Sequence, residues 1–68
     1  MNFKEATNLL AVSLERVAEV TGKSYPTVLA YRTGDRMPPP EVREKLAAFM
    51  REHAASLLDA AGELEHRE

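Results

Sequence analysis

The sequence predicts an all-α fold, a compact bundle of four to five helices. Apolar residues recur at steps of three and four along nearly the whole chain. Capping residues (Asn2, Ser13, Ser24) stand just before these runs, and Gly22 and Gly34 just after two of them. No stretch alternates apolar and polar residues as a strand or hairpin would.

Each element has its own signals. Asn2 caps a first helix over about Phe3 to Ala11, with Glu5 three residues on to reach back to it, and Phe3, Ala6, Leu9 and Leu10 are placed on one face. Ser13 caps a second helix, about Leu14 to Thr21, whose inner face carries Leu14, Val17, Ala18 and Thr21, and Gly22 supplies the left-handed residue that ends it. Ser24 caps a third helix running to about Thr33, with Val28 and Tyr31 inward. Pro26 is tolerated in the first turn, and Tyr25, disfavoured in helical angles before proline, stands at the boundary. Gly34 stops this helix, and the three prolines at 38 to 40 stiffen the connector from Gly34 to Pro40. From Glu41 onward Val42, Leu46, Phe49, Met50, His53, Leu57, Leu58, Ala61 and Leu64 form an amphipathic pattern. It describes one helix or two in succession, with a bend near His53 to Ala55, a restart at Ser56 and weakening at Gly62. The tail Glu63 to Glu68 is expected to be frayed and solvated.

A chain of 68 residues makes a single domain, residues 1–68, with a core over about 3–55 and a C-terminal helix and tail over about 56–68. At this size only about 60% of the unfolded surface is buried, so the core needs support. With no cysteine, disulfides and thiolate metal sites are excluded, and the two histidines are too few for a structural zinc centre. Oligomerisation is the remaining source. No apolar run approaches the ~18 residues of a membrane span, and the first residues lack a signal-peptide pattern, so the expected compartment is the cytoplasm.

The net charge of -2 hides an uneven distribution. Residues 1–21 carry -1 and residues 46–68 carry -3, but residues 22–45 carry +2 through Lys23, Arg32, Arg36, Arg43 and Lys45. Local field steers a polyanion, so a mildly acidic chain is still able to present a basic middle to nucleic acid.

Two short helices joined by a three- or four-residue turn containing glycine describe a helix-turn-helix, whose second helix enters the DNA major groove. Ala18 is small where the helices cross, Gly22 takes the turn conformation and Val28 locks the second helix onto the first. The stretch from Ser13 to Gly34, with Ala18, Gly22, Ser24, Val28, Tyr31 and Gly34 in order, resembles the lambda-repressor-like (Xre-type) helix-turn-helix family. The resemblance extends over about residues 3–53. It implies a sequence-specific DNA-binding regulator, bacterial or phage-encoded, with no cofactor. Leu14, Thr21 and Lys23 depart from the family pattern. Leu14 replaces a polar residue that braces the recognition helix, Lys23 replaces an apolar turn residue, and Thr21 suggests a looser turn or a different packing partner.

On the third helix Ser24, Tyr25, Pro26, Thr27, Leu29, Ala30 and Thr33 are the candidate DNA-facing residues. The Arg, Lys, Asn and Gln that usually pair with base edges are missing there. Readout would rest on thymine methyls, hydroxyls and DNA shape, and an apolar face of this kind also fits a protein interface. Lys23, Arg36 and Arg43 are the candidate phosphate ligands, helped by the N-terminal amides of the second and fourth helices. Arg32 has a structural alternative, pairing with Asp35 or Glu15. His53 reads as a packed or partly exposed core residue, no metal ligand set is seen, and no arrangement of side chains suggests catalysis.

The stripe Leu57, Leu58, Ala61, Leu64 either folds back over the small core or forms the interface of a homodimer. A dimer would meet half-sites about 34 Å apart on a near-palindrome of double-stranded DNA. The alternatives are a protein-interaction module or antirepressor on the same fold, and the DNA-binding antitoxin of a toxin pair, whose acidic C-terminal segment would hold a basic toxin.

Overall fold

A computed structural model describes residues 1–66 and is all-helical over that range: α1 (Phe3–Leu10), α2 (Leu14–Thr21), α3 (Tyr25–Thr33) and α4 (Pro40–His66). The first three helices are short and individually capped. In α1 the Asn2 side chain accepts from the Glu5 amide at 2.8 Å while the Glu5 carboxylate accepts from the Asn2 amide at 3.0 Å, a reciprocal capping box. Ser13 and Ser24 cap α2 and α3 by accepting from the Arg16 and Thr27 amides, and Tyr25 is the first helical residue.

Left-handed residues close all three short helices. Gly22 lies at φ 72° and Gly34 at φ 91°. The amide of Lys23 returns to the Ala18 carbonyl at 3.1 Å and that of Gly22 to Glu19 at 3.3 Å, so the α2–α3 turn is tight and its last carbonyls are satisfied. The third terminator is Ala11, at φ 57°. The first helix therefore stops at Leu10, one residue short of the sequence expectation.

The core gathers Phe3, Ala6 and Leu10 of α1, Val17 and Ala18 of α2, Val28 and Tyr31 of α3, and Val42 and Leu46 of α4. Phe3 and Tyr31 meet edge to face with centroids 5.6 Å apart, joining α1 to α3. Helix α2 packs on α4 in antiparallel fashion. At one end Lys23 Nζ lies 3.7 Å from a Glu41 carboxylate oxygen, and at the other the Arg16 guanidinium sits 5.4 Å above the Phe49 ring. Two threonines complete the core because each hydroxyl donates to its own helix: Thr7 to Phe3 and Lys4 carbonyls at 3.0 and 3.1 Å, Thr21 to Val17 at 2.8 Å.

Three expectations are corrected. Leu9 is exposed, and Thr7 takes its place on the buried face of α1, because Leu9 lies about 100° away from the Phe3–Leu10 centre of that face. Thr21 is fully buried with a satisfied hydroxyl, so its polarity does not loosen the turn. There is no bend near His53 to Ala55 and no separate helix from Ser56. Helix α4 runs unbroken for 27 residues to His66, through Gly62 and most of the expected frayed tail. Nothing in its sequence between Arg51 and Ala61 breaks a helix, since neither proline nor glycine occurs there. The last two residues of the expected tail, 67 and 68, lie outside the described range.

Such a helix is about 40 Å long, far more than a core of this size can cover. Its distal half projects past the other helices. The molecule measures 47 × 21 × 18 Å, with a radius of gyration of 13.9 Å against the roughly 11 Å expected of a compact chain of this length. Leu57, Leu58 and Leu64 are 59%, 74% and 73% exposed, so the C-terminal stripe does not fold back over the core.

Candidate nucleic-acid interface

Helix α3 is held from behind and open in front. Val28 and Tyr31 are buried against α2 and α1, which turns Tyr25, Pro26, Leu29 and Thr33 to solvent and leaves Thr27 and Ala30 half-buried. Tyr25 and Leu29 are its large exposed apolar residues, at 44% and 39%. The hydroxyls on this helix are partly engaged at home. Ser24 and Thr27 share a hydrogen bond at 2.9 Å, and Thr33 donates to the Ala30 carbonyl at 3.2 Å. A hydroxyl whose donor is held in this way still offers oxygen lone pairs outward. Beside Tyr25 a shallow depression is lined by Asn8, Ser13, Leu14, Glu15 and Arg32.

The basic residues of the middle segment have different surroundings. Lys23 is half-buried and faces Glu41, so its charge is partly spent within the fold. Arg32 is corrected: its guanidinium donates to the Asn8 side-chain oxygen at 2.9 Å, and the candidate partners Asp35 and Glu15 are not used. A neutral partner on α1 wins because Arg32 lies on the edge of α3 that packs beside that helix. Arg36 and Arg43 are exposed, and among the described residues no carboxylate lies within 4.0 Å of either. Arg36 is oriented by its neighbours: its amide donates to the Ala30 carbonyl at 3.2 Å and its guanidinium lies 6.0 Å from the Tyr31 ring centre.

The helix N-termini contribute unequally. Pro39 and Pro40 have no amide proton, and the amides of Val42 and Arg43 donate to the Pro39 carbonyl at 3.0 and 3.2 Å. The start of α4 therefore has little to offer an anion, against the sequence expectation. At α2 Ser13 takes up only the Arg16 amide, which leaves the first amides of that helix for a phosphate.

Arg36 and Arg43 share a second feature that the sequence did not signal. Together with Lys4 and Arg32 they border an open apolar groove between the start of α1, the connector and the proximal half of α4, whose floor includes Phe3, Met37, Leu46, Ala47 and Met50. The groove follows from packing: α1 lies mainly against α3, which leaves the proximal half of α4 open beside it. His53 is half-buried and stacks on Phe49 with centroids 5.8 Å apart. Among the described residues no three His, Cys, Asp or Glu side chains come together to hold a metal ion, and no helix is long and apolar enough to cross a membrane.

No protein-family model, curated protein or solved structure matches this chain.

Proposed function

We propose that this chain is a small DNA-binding transcriptional regulator of the lambda-repressor-like kind, which presents α3 to the major groove and acts as two copies on a near-palindromic site. The observation that carries the reading is the setting of α3. It is capped by Ser24, crossed closely by α2 at Ala18 across a tight Gly22 turn, and open along Tyr25, Pro26 and Leu29, with exposed Arg36 just past its end. A helix braced on one side and bare on the other is what groove insertion requires. Tyr25, Leu29 and Ala30 would meet thymine methyls. The hydroxyl hydrogen left free in the Ser24–Thr27 pair would donate to a phosphate or base edge, and Thr33, whose hydrogen is held by Ala30, would accept from a base amino group. Arg36, Arg43 and the first amides of α2 would neutralise phosphates, with Lys23 contributing at the cost of its Glu41 contact.

Titration of duplex binding against salt tests this. If each of two copies supplies about three phosphate contacts, affinity falls roughly a thousandfold between 50 and 200 mM salt. Selection of bound duplexes from a random pool then reports the half-sites and their spacing. Absence of binding at low salt overturns the reading.

A second reading is favoured by one observation: the open face of α3 carries Tyr25 and Leu29 and no Arg, Lys, Asn or Gln. That composition suits an interaction module that binds a protein through the same helix. Under it Leu29→Ala weakens a protein complex and leaves duplex binding unmeasurable with either chain.

A further inference from the structure

The exposed surface of α4 carries a pattern that the core uses only at Met50. Ala47, Met50, Ala54, Leu57, Ala61 and Leu64 succeed one another at alternating steps of three and four, a heptad stripe in which every first position is alanine and every second is long and apolar. The core-facing stripe of the same helix runs through Val42, Leu46 and Phe49, with Met50 at its edge also packed against the core and His53 stacked on Phe49. On the outer stripe Ala47 and Met50 are half-buried in the floor of the groove, and Ala54, Leu57, Ala61 and Leu64 lie beyond the core.

We propose that this stripe is the interface of a homodimer in which two α4 helices pair antiparallel, each distal half lying in the groove of the other copy. Three observations select a second copy as the occupant. The first is steric self-complementarity. With the helices antiparallel about a two-fold axis between Ala54 and Leu57, Ala47 faces Leu64 of the second copy, Ala54 faces its Leu57, and Ala61 faces its Met50. Every layer then sets one small residue against one large one, and the helix axes approach to about 8 Å, the close end of helix packing. A parallel pair would stack alanine on alanine and leave those layers empty.

The second observation is charge. From Glu52 to His66 the helix carries Glu52, Asp59, Glu63 and Glu65 and no Lys or Arg. The groove is bordered by Lys4, Arg32, Arg36 and Arg43, with Glu44 as its one acid. Antiparallel pairing carries the acidic half of one copy across the basic groove of the other, and the two-fold repeats the match. Glu65 flanks the stripe and reaches the groove rim, while Glu52, Asp59 and Glu63 lie on the far side of the helix and add to the attraction only at longer range. The third is extent. The stripe is continuous from the groove to Leu64, an overlap of about 27 Å of helix, so the exposed leucines and the open groove are covered in one step. Leu58, beside the stripe, comes to lie against the aliphatic stem of Arg51 in the second copy.

The pairing draws on Arg36 and Arg43, which the DNA reading gives to phosphates, but it stands on the α4 stripe and is measured without DNA, so its failure is told apart from failure of duplex binding. The chain has no cysteine, so introduced thiols report register cleanly. Under mild oxidation Ala47→Cys chains mixed with Leu64→Cys chains form a mixed crosslink, and neither variant crosslinks with itself. Sedimentation equilibrium gives a dimer for the unmodified chain and a monomer for Leu57→Asp at the same concentration. Leu57 lies outside the core, so the thermal midpoint of that variant matches the unmodified chain at high dilution. Self-crosslinking of either cysteine variant, a dimer that crosslinks in neither way, or a chain that stays monomeric up to millimolar concentration and pairs only with a different protein overturns the proposal.

Discussion

At the scale of single residues, backbone handedness makes the sharpest statements. Ala11 ends α1 at φ 57°, a conformation that costs a residue with a Cβ about 1 kcal/mol more than glycine. Ala11→Gly is expected to stabilise the fold by about that much, raising the thermal midpoint by roughly 4–8 °C. The reverse change at the two glycine terminators separates strain from crowding. A Cβ on Gly22 would meet only the tip of Lys45, at 4.0 Å, and one on Gly34 would meet nothing within 4 Å. Alanine at either position should therefore cost a similar amount, about 1–2 kcal/mol of backbone strain, in thermal or chemical denaturation. Among the cations, Arg36 is exposed, held in place by its amide bond to Ala30 and resting over the outer side of the Tyr31 ring, so its loss removes one surface contact with a core residue. Under the DNA reading Arg36→Ala weakens binding to all duplexes alike and, with one Arg36 in each of the two copies, lowers the salt slope by about two. A change of preference among sequences without a change in slope would assign it a different part.

At the scale of elements, the first three helices were legible because short helices depend on their ends. Asn2, Ser13, Ser24, Gly22 and Gly34 are the residues that satisfy or reverse a backbone, and they name the boundaries directly. The Ala11 terminator was not legible, since alanine carries no preference for that conformation and is driven there by the need to turn α1 toward α2. Burial of Thr7 and Thr21 was hidden for a related reason: a threonine becomes apolar in effect only when its hydroxyl folds back on its own helix. The candidate site was half visible. Residue identities gave the open face of α3 and its flanking cations, but the partners Asn8 and Glu41 depend on how helices pack, which one sequence does not state. Continuity of α4 was left open by the apolar spacing and settled by composition, with Gly62 as the weakest link. A Cβ at that residue would meet nothing within 4 Å, so Gly62→Ala should strengthen the helix by about 1 kcal/mol through propensity alone, seen as a deeper helical signal in circular dichroism.

At the scale of the whole molecule, the need for outside support that a 68-residue chain suggests has a physical location. The compact part ends near His53, and beyond that residue α4 continues with solvent on every side. An unsupported helix of about 12–15 residues is marginal in water, so in a lone chain this segment would unwind at little cost and its amides would exchange with solvent far faster than those of Val17 or Val28. In the antiparallel pair the same segment gains a partner along its full length, and its amides should become protected as protein concentration rises, while those of the core do not change. The overhang of α4 would then make secondary structure itself a function of how many copies are present. A cell holding few copies would have a compact head with a loose acidic tail, and a cell holding many would have a stiff double rod, so the switch between the two states would be thrown by abundance with no small molecule involved.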